Sequence, residues 1–244
     1  MSVAPEDGDI TPGGFDPSFE TYMVIVAHPD DMEFSSAGTV ARLAKEGKRT
    51  ILIQVTSGDK GSSDPSMSPH AMATTREAEE REACRRLGVE EVVFLRCTDG
   101  ELMPDLSLRE RIVRMIRTHK PDVVISHDGF RPYALHPDHR AVGLATTDSV
   151  YPAARDPHNF STHLREGLEP HKTAELWLFG AEQPDKHIDV TDTFAAKIDA
   201  LLAHESQVGT GDGMEGRLRE RATELAADQP FELAEAFKVI QMRR

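Results

Sequence analysis

The stretch "YMVIVAHPDDMEFSSAGT" (residues 22–39) places charge directly beside a predicted core element. Residues 22–27 are apolar without alternation, as is typical of a strand buried on both faces of a sheet. Residues 33–48 then carry apolar side chains at helical spacing, and Gly47 is a residue that can end a helix. A histidine and two adjacent carboxylates therefore stand between a buried strand and the following helix.

Three more strand-then-helix units follow along the chain. Apolar strands are predicted over 49–57, 90–97 and 121–127, and helices over 69–88, 106–120 and 137–150. Four such units predict a single-domain α/β fold, with a Rossmann-like, mostly parallel sheet and helices on both faces. We expect the domain to span residues 21–244, after a flexible N-terminal tail over residues 1–20.

The second half of the chain is less regular. Strands are predicted over 175–181 and 186–190, and helices over 191–206 and about 214–227. Residues 151–173 show no periodicity and exceed ordinary loop length, so we expect either a mobile lid or an oligomer contact there. The three histidines of this segment are expected to be surface residues: His158, His163 and His171.

Composition excludes several classes of partner. The chain has 28 Lys and Arg against 42 Asp and Glu, and the resulting net charge of −14 repels phosphate backbones and anionic lipid. We therefore expect no nucleic-acid and no membrane partner. A secretory signal and a membrane-length apolar window are not found, which favours a cytoplasmic protein. Cys84 and Cys97 are expected to be buried free thiols.

The His-Pro-Asp pattern occurs a second time, in "LHPDHRAVG" (residues 135–143). In both copies the proline favours an extended conformation for the preceding histidine, so each imidazole should lie at the end of its segment. One copy follows the first predicted strand and the other comes shortly after the fourth. Ligands of open α/β sheets bind outside the carboxyl ends of the strands, and both copies fall there.

These residues match the ligand set of a catalytic zinc site. Two histidines and a carboxylate with one open coordination position are typical of such sites, and we predict that His28, Asp31 and His139 bind Zn²⁺ or another divalent transition metal. The cation would also relieve the repulsion between Asp31 and the neighbouring Asp30. His127, at the end of the fourth strand, is a reserve ligand or a hydrogen-bonded structural histidine.

The remaining polar residues of the two motifs suit a metal-assisted hydrolysis. Asp30, if it is not a ligand, can act as the general base for water. His136 could stabilise an oxyanion or protonate a leaving amine. Asp138 could hold the His136 imidazole in its tautomer, as carboxylates around metal sites do.

Other candidates depend on weaker signals. Arg131, in the loop before the second motif, is expected to contact substrate. Arg76 could also bind substrate, although an i,i+4 ion pair with Glu80 on a solvated helix face is an equal alternative. Glu33 either supports the site or is an early helix residue favoured by the helix dipole.

Taken together, "AHPDDMEFSSAGTVARL", "HPDH", "KIDALLAHESQV" and "AEAFKVI" resemble the LmbE-like family. This family includes GlcNAc-phosphatidylinositol de-N-acetylases and the deacetylases of mycothiol and bacillithiol synthesis. The resemblance covers residues 22–240 and implies, residue by residue, the roles already described. Those are zinc binding by His28, Asp31 and His139, catalysis by Asp30, His136 and Asp138, and substrate contacts by Arg76 and Arg131.

The expected activity is therefore zinc-dependent removal of an acetyl group from an acylated amino sugar of low molecular weight. A hydratase or lyase acting on a small unsaturated acid is the alternative from a different reaction class. A non-catalytic metal or sugar binder is a third interpretation. A homo-oligomer remains an open expectation.

Overall fold

The computed structural model describes residues 12–242 and contains one seven-stranded mixed sheet. The strands are β1 (Thr21–Val26), β2 (Arg49–Thr56), β3 (Glu91–Cys97), β4 (Val123–His127), β5 (Glu175–Phe179), β6 (Lys186–Asp189) and β7 (Ala234–Gln241). Their order across the sheet is β3-β2-β1-β4-β5-β7-β6. The first five run parallel, whereas β7 is antiparallel to both β5 and β6.

Helices cover both faces of the sheet. They are α1 (Asp31–Lys45), α2 (Pro69–Leu87), α3 (Leu106–His119), α4 (Pro137–Asp148), α5 (Thr162–Arg165), α6 (Phe194–Leu201), α7 (Glu205–Val208) and α8 (Met214–Leu225). Alternate residues of β1 point to opposite faces, so Val24 packs in one apolar cluster with α1 and α6, and Ile25 packs in a second cluster with α3 and α4. The predicted single-domain α/β fold is confirmed.

Two details of the later chain differ from the sequence prediction. The helix predicted over 191–206 is divided into α6 and α7 by a bend at residues 202–204. Residues 234–241 were not predicted as a strand, but they form β7 between β5 and β6. This strand has a mixed burial pattern, and its pairing depends on two partners distant in sequence, so local periodicity gave little signal.

The predicted N-terminal tail is only partly described. Phe15 and Phe19 are buried, and the Phe15 ring stacks on Trp177 with 6.2 Å between ring centroids. Residues 12–20 are therefore anchored to the core through these two side chains, contrary to the expected loose tail. Residues 1–11 of the predicted tail lie outside the described residues.

Residues 151–173 are fixed at the amino-terminal edge of the sheet. Arg117 of α3 is 1% exposed and donates hydrogen bonds to five backbone carbonyls of this segment. His163 is fully buried and contacts Glu110, so the expected surface position is wrong for this histidine. The His171 side chain bonds Pro121 O, at the start of β4.

That location excludes a lid over the predicted metal ligands, which lie at the opposite, carboxyl-terminal edge of the strands. The alternative, an oligomer contact, stays a prediction. Within residues 12–242, no helix is both long enough and apolar enough to span a bilayer. Cys84 is buried and Cys97 partly buried, and both are free thiols.

Replacing Arg117 with methionine should release residues 153–160 without disturbing the opposite edge of the sheet. The substitution leaves up to five buried carbonyls without their donor, and we expect a loss of roughly 2–4 kcal/mol in the free energy of unfolding. Urea denaturation and amide hydrogen exchange measure the two effects. The matched control is Arg85→Met, because Arg85 of α2 is exposed and makes a surface ion pair of small energetic value with Glu82, away from residues 151–173. Equal stability of the two variants would contradict this assignment.

Candidate metal centre

The first His-Pro-Asp motif forms a tight turn between β1 and α1. The Asp31 N–H donates to His28 O over 3.2 Å, and Asp30 has φ 89° and ψ −21°. These angles are those of the third residue of a type II turn, and a proline is common at the second position. The turn therefore brings His28 and Asp31 to its two ends.

The second motif begins α4. His136 is the N-cap residue, and its Nδ1 accepts the Asp138 N–H over 3.2 Å. Pro137 occupies the first helical position, where the missing N–H costs nothing. His139 lies in the first turn, as predicted. Because β4 pairs with β1, this helix start lies beside the first motif, at the point where the strand order reverses.

Three side chains converge on one point between these motifs. His28 Nδ1 is 3.2 Å from His139 Nε2 and 3.3 Å from Asp31 Oδ2, and His139 Nε2 is 3.1 Å from Asp31 Oδ1. Ligand atoms bound tetrahedrally at about 2.0–2.1 Å from zinc are separated by roughly 3.3 Å. The donor set and its spacing thus fit a zinc ion, and the three predicted ligands are brought together.

The other nitrogen of His28 faces two carboxylates. Its Nε2 is 3.1 Å from Asp99 Oδ1 and 3.2 Å from Asp138 Oδ2. The Asp138 carboxylate also accepts the N–H groups of Gly100 and Leu102. A carboxylate that accepts from the second nitrogen of a ligating histidine fixes the ring and makes it a better ligand.

This arrangement corrects the predicted support of His136 by Asp138. The Asp138 carboxylate bonds His28, whereas the hydrogen bond that His136 accepts comes from the Asp138 backbone N–H. The fully buried Asp138 points into the protein because two backbone donors after β3 hold it there. The HPDH spacing alone gave no sign of these donors.

Asp99 was not identified from the sequence. It follows β3 in "CTDG" (residues 97–100). An acidic residue shortly after a parallel strand was the one feature of the sequence that could have indicated a place at the site. Burial raises its pKa, but the hydrogen bond and charge of His28 outweigh this effect and lower the pKa to about 2. Asp99 thus remains an anion against His28.

Negative charge is concentrated at the point of convergence. Burial lowers the pKa of His28, but hydrogen bonds and charges of Asp31 and Asp99 raise it to about 10. Burial raises the pKa of Asp31, yet the charge of His127 and the hydrogen bonds from the surrounding histidines lower it well below the usual range. A divalent cation is the species that such a charge distribution favours.

His127 has a structural environment. Its Nε2 accepts the Ala27 N–H over 3.2 Å, so that lone pair already has a backbone donor. The same nitrogen is 3.4 Å from Asp31 Oδ2, and the ring stacks on His139. These contacts favour the hydrogen-bonded structural histidine over the reserve ligand.

Asp30 stands beside the ligands without bonding to them. Burial and the charge of Asp31 raise its pKa to about 6, although Arg76 opposes the shift. The Arg76 guanidinium donates to Asp30 Oδ2 over 3.2 Å, to Pro29 O and to Gly58 O. A Cβ on Gly61 would lie 2.4 Å from Arg76 Nη1, so glycine is needed for this close approach.

The position of Arg76 differs from the exposed ion pair with Glu80 that the sequence offered as one alternative. It is 4% exposed and does not form the surface ion pair considered for Glu80. It lines a cavity of about 430 Å³ together with His28, Asp30, Asp31, Lys60, Gly61, Asp99, Gly100, His136 and His139. Arg131 lies in a second cavity, of about 270 Å³, which shares Asp31 and His139 with the first.

A further buried cluster was not predicted. Glu33, Glu80 and His204 are all fully buried behind Asp30, and the Glu80 carboxylate accepts the Asp30 N–H. His204 comes from the bend between α6 and α7, so only the tertiary structure brings it to the other two residues. Glu33 was expected either to support the site or to be an early helix residue favoured by the helix dipole, and its buried position behind Asp30 fits the first interpretation.

The chain matches the sequence model of GlcNAc-PI de-N-acetylases over residues 23–150, and it belongs to this family of LmbE-like deacetylases. It is 32% identical to the diacetylchitobiose deacetylase of Thermococcus kodakarensis over 185 residues, which cover 76% of this chain and 69% of the relative. The predicted family is confirmed.

Solved structures agree with the sequence comparison. The N,N'-diacetylchitobiose deacetylase of Pyrococcus horikoshii superposes with a TM-score of 0.87 at 30% identity, covering 92% of this chain and 85% of that one. The 4-carboxy-2-hydroxymuconate hydratase of Pseudomonas putida superposes with a TM-score of 0.78 at 18% identity, covering 92% and 98%. The second likeness concerns the fold alone.

The contacts of Asp138 predict an effect on metal affinity. In Asp138→Asn, one partner of His28 loses its charge, and we expect zinc affinity to fall about 10–100-fold. Competition with a chromogenic chelator gives the affinity. Asp148→Asn is the control, because Asp148 lies at the other end of α4. Unchanged zinc affinity with reduced turnover would instead favour the role that the sequence predicts for Asp138, which is to hold the His136 imidazole in its tautomer.

Proposed function

We propose that the protein is a zinc-dependent N-deacetylase, which hydrolyses the acetamide of an N-acetylated amino sugar to acetate and a free amine. The observation that carries this proposal is the convergence of His28, Asp31 and His139 within 3.1–3.3 Å beside Asp30, a carboxylate outside that ligand set. Relatives named as deacetylases of acetylated sugars support the choice of substrate.

The bound zinc would supply Lewis acidity, which polarises a carbonyl and makes water a stronger acid. Asp30 would accept the proton of the attacking water. Its pKa of about 6 suits this task, because a base works best with a pKa near the operating pH. Arg76 fixes one oxygen of Asp30 and leaves the other available for the water proton.

His136 would serve the opposite side of the scissile amide. Its Nδ1 accepts the Asp138 N–H, so the neutral ring carries its proton on Nε2 and can donate it. Burial and the charges of His28 and His139 lower the pKa of His136, which favours this neutral form. It can donate a hydrogen bond to the developing oxyanion or to the departing nitrogen.

The cavity beside Arg76 is suited to a sugar. Lys60 and Asp99 line this cavity beside the proposed ligands and would present polar groups to a sugar. Arg131 in the neighbouring cavity would contact the remainder of the substrate, as predicted from the sequence. Zinc as the native metal, a cytoplasmic location and a homo-oligomer belong to the same proposal.

The two alternatives receive less support. The structural likeness to a hydratase concerns the fold, which hosts different chemistries, so it does not favour hydration of an unsaturated acid. A non-catalytic binder would not require a base with a raised pKa beside its metal ligands. Deacetylation gives a role to Asp30, which neither alternative requires.

Substitution of Asp30 separates catalysis from binding. Asp30→Asn keeps the shape but removes the base, so we expect turnover of N,N'-diacetylchitobiose to fall about 10²–10⁴-fold with zinc stoichiometry unchanged. Acetate release and metal analysis measure the two quantities. Asp64→Asn, an exposed Asp-to-Asn change, is the matched control. Full turnover by Asp30→Asn, or no acetate release by zinc-loaded wild type from a panel of N-acetylated sugars, would overturn the proposal.

A further inference from the structure

The backbone at Asp30 adopts a conformation that an aspartate does not favour. Its φ of 89° is in the left-handed region, where the Cβ of a non-glycine residue crowds the backbone. Asp30 is also the N-cap residue of α1, and its side chain makes no capping hydrogen bond. Interactions from outside the turn must therefore stabilise this conformation.

Glu80 of α2 supplies one such interaction. Its Oε2 accepts the Asp30 N–H over 3.1 Å, and Glu80 is fully buried. Arg76, one helical turn earlier, bonds Pro29 O and the Asp30 carboxylate. Residues of α2 therefore hold both the peptide group between Pro29 and Asp30 and the Asp30 side chain.

The surroundings of Glu80 keep its carboxylate in place. His204 Nε2 lies 3.5 Å from Glu33 Oε2 and 3.9 Å from Glu80 Oε2, and all three residues are fully buried. Burial raises the pKa of Glu80 to about 8. Glu80 has no solvent to turn towards, and the Asp30 N–H is a donor within its reach.

We propose that Glu80 is a positioning residue for the reaction: by accepting the Asp30 N–H it holds this residue in its left-handed conformation and directs the Asp30 carboxylate towards the attacking water. This inference rests on the proposed function, because the position of Asp30 matters for the reaction only if Asp30 is the general base. It differs from the role of Arg76, which contacts the Asp30 carboxylate itself.

Two substitutions of similar size test the hydrogen bond. Glu80→Gln retains an oxygen acceptor for the Asp30 N–H, whereas Glu80→Met fills the space without a comparable acceptor. We expect Glu80→Met to lower kcat about 10–100-fold through misplacement of the base, with KM and zinc content within about twofold of wild type. Glu80→Gln should keep kcat within about threefold. A general loss of stability would lower the zinc content together with the apparent kcat, so the unchanged zinc content separates the two effects.

The control variant is Glu82→Gln, which makes the same Glu-to-Gln change on α2 at a partly exposed residue that pairs with Arg85 and Arg86. It should keep kcat near the wild-type value. Equal kcat values for Glu80→Met and wild type, or equal losses in Glu80→Met and Glu80→Gln, would overturn the inference. If Glu80→Met does not fold, Glu80→Leu provides the same comparison with Glu80→Gln.

Crystal structures of the zinc-loaded variants provide a readout that is independent of turnover. We expect Asp30 to keep a positive φ in Glu80→Gln and to leave the left-handed region, or to rotate its carboxylate away, in Glu80→Met. An unchanged Asp30 in Glu80→Met would refute positioning by Glu80. Absence of acetate release by the wild type would refute the proposed function instead, and the Asp30 conformation would still decide the positioning claim.

Discussion

The turn from His28 to Asp31 is the constraint on which the candidate centre depends. Only Pro29 and Asp30 separate His28, which follows a buried strand, from Asp31, the first residue of a helix. His28 and Asp31 therefore cannot move independently of each other. Asp30 must then adopt a left-handed backbone conformation, which is costly by about 1–2 kcal/mol for a residue with a Cβ. Arg76 and Glu80 of α2 are buried and hydrogen bond to Asp30, which offsets that cost in the proposed arrangement. Two proposed metal ligands and the proposed base are thereby confined to four residues.

The sheet positions the third proposed ligand, His139. Because β4 pairs with β1 in parallel, the segment that follows β4 returns to the same edge and begins α4 beside the turn. Pro137 and the His136 cap fix the first turn of that helix, which directs His139 towards His28. The carboxylates around His28 then come from two further positions, one after β3 and one within α4. A cation is favoured there because several carboxylates are held close together around His28.

The buried charges form two layers with different tasks. The outer layer consists of the ligands and their carboxylate partners, whose pKa values are shifted by hydrogen bonds and charge. The inner layer, Glu33, Glu80 and His204, is fully buried, and its carboxyl pKa values are raised mainly by loss of solvent. Asp30 lies between these layers: its N–H donates to Glu80, and it precedes Asp31 in the chain. Its raised pKa follows from burial and from Asp31, with Arg76 limiting the shift. The intermediate value suits the general base that we propose.

The amino-acid sequence by itself determined the parallel β-α units, the two motifs at strand ends and the three residues that converge. These features are local: apolar periodicity specifies each element, and proline fixes each histidine at a segment end. Only the tertiary structure decided the partners that come from distant segments. Asp138 supports His28 because Gly100 and Leu102 orient it, Arg76 turns inward because Gly58 and Gly61 leave room, and His204 reaches Glu33 through the bend after α6. Likewise, residues 151–173 cover the far edge of the sheet because Arg117 binds their carbonyls. Such contacts depend on packing between elements far apart in the chain, which periodicity does not encode.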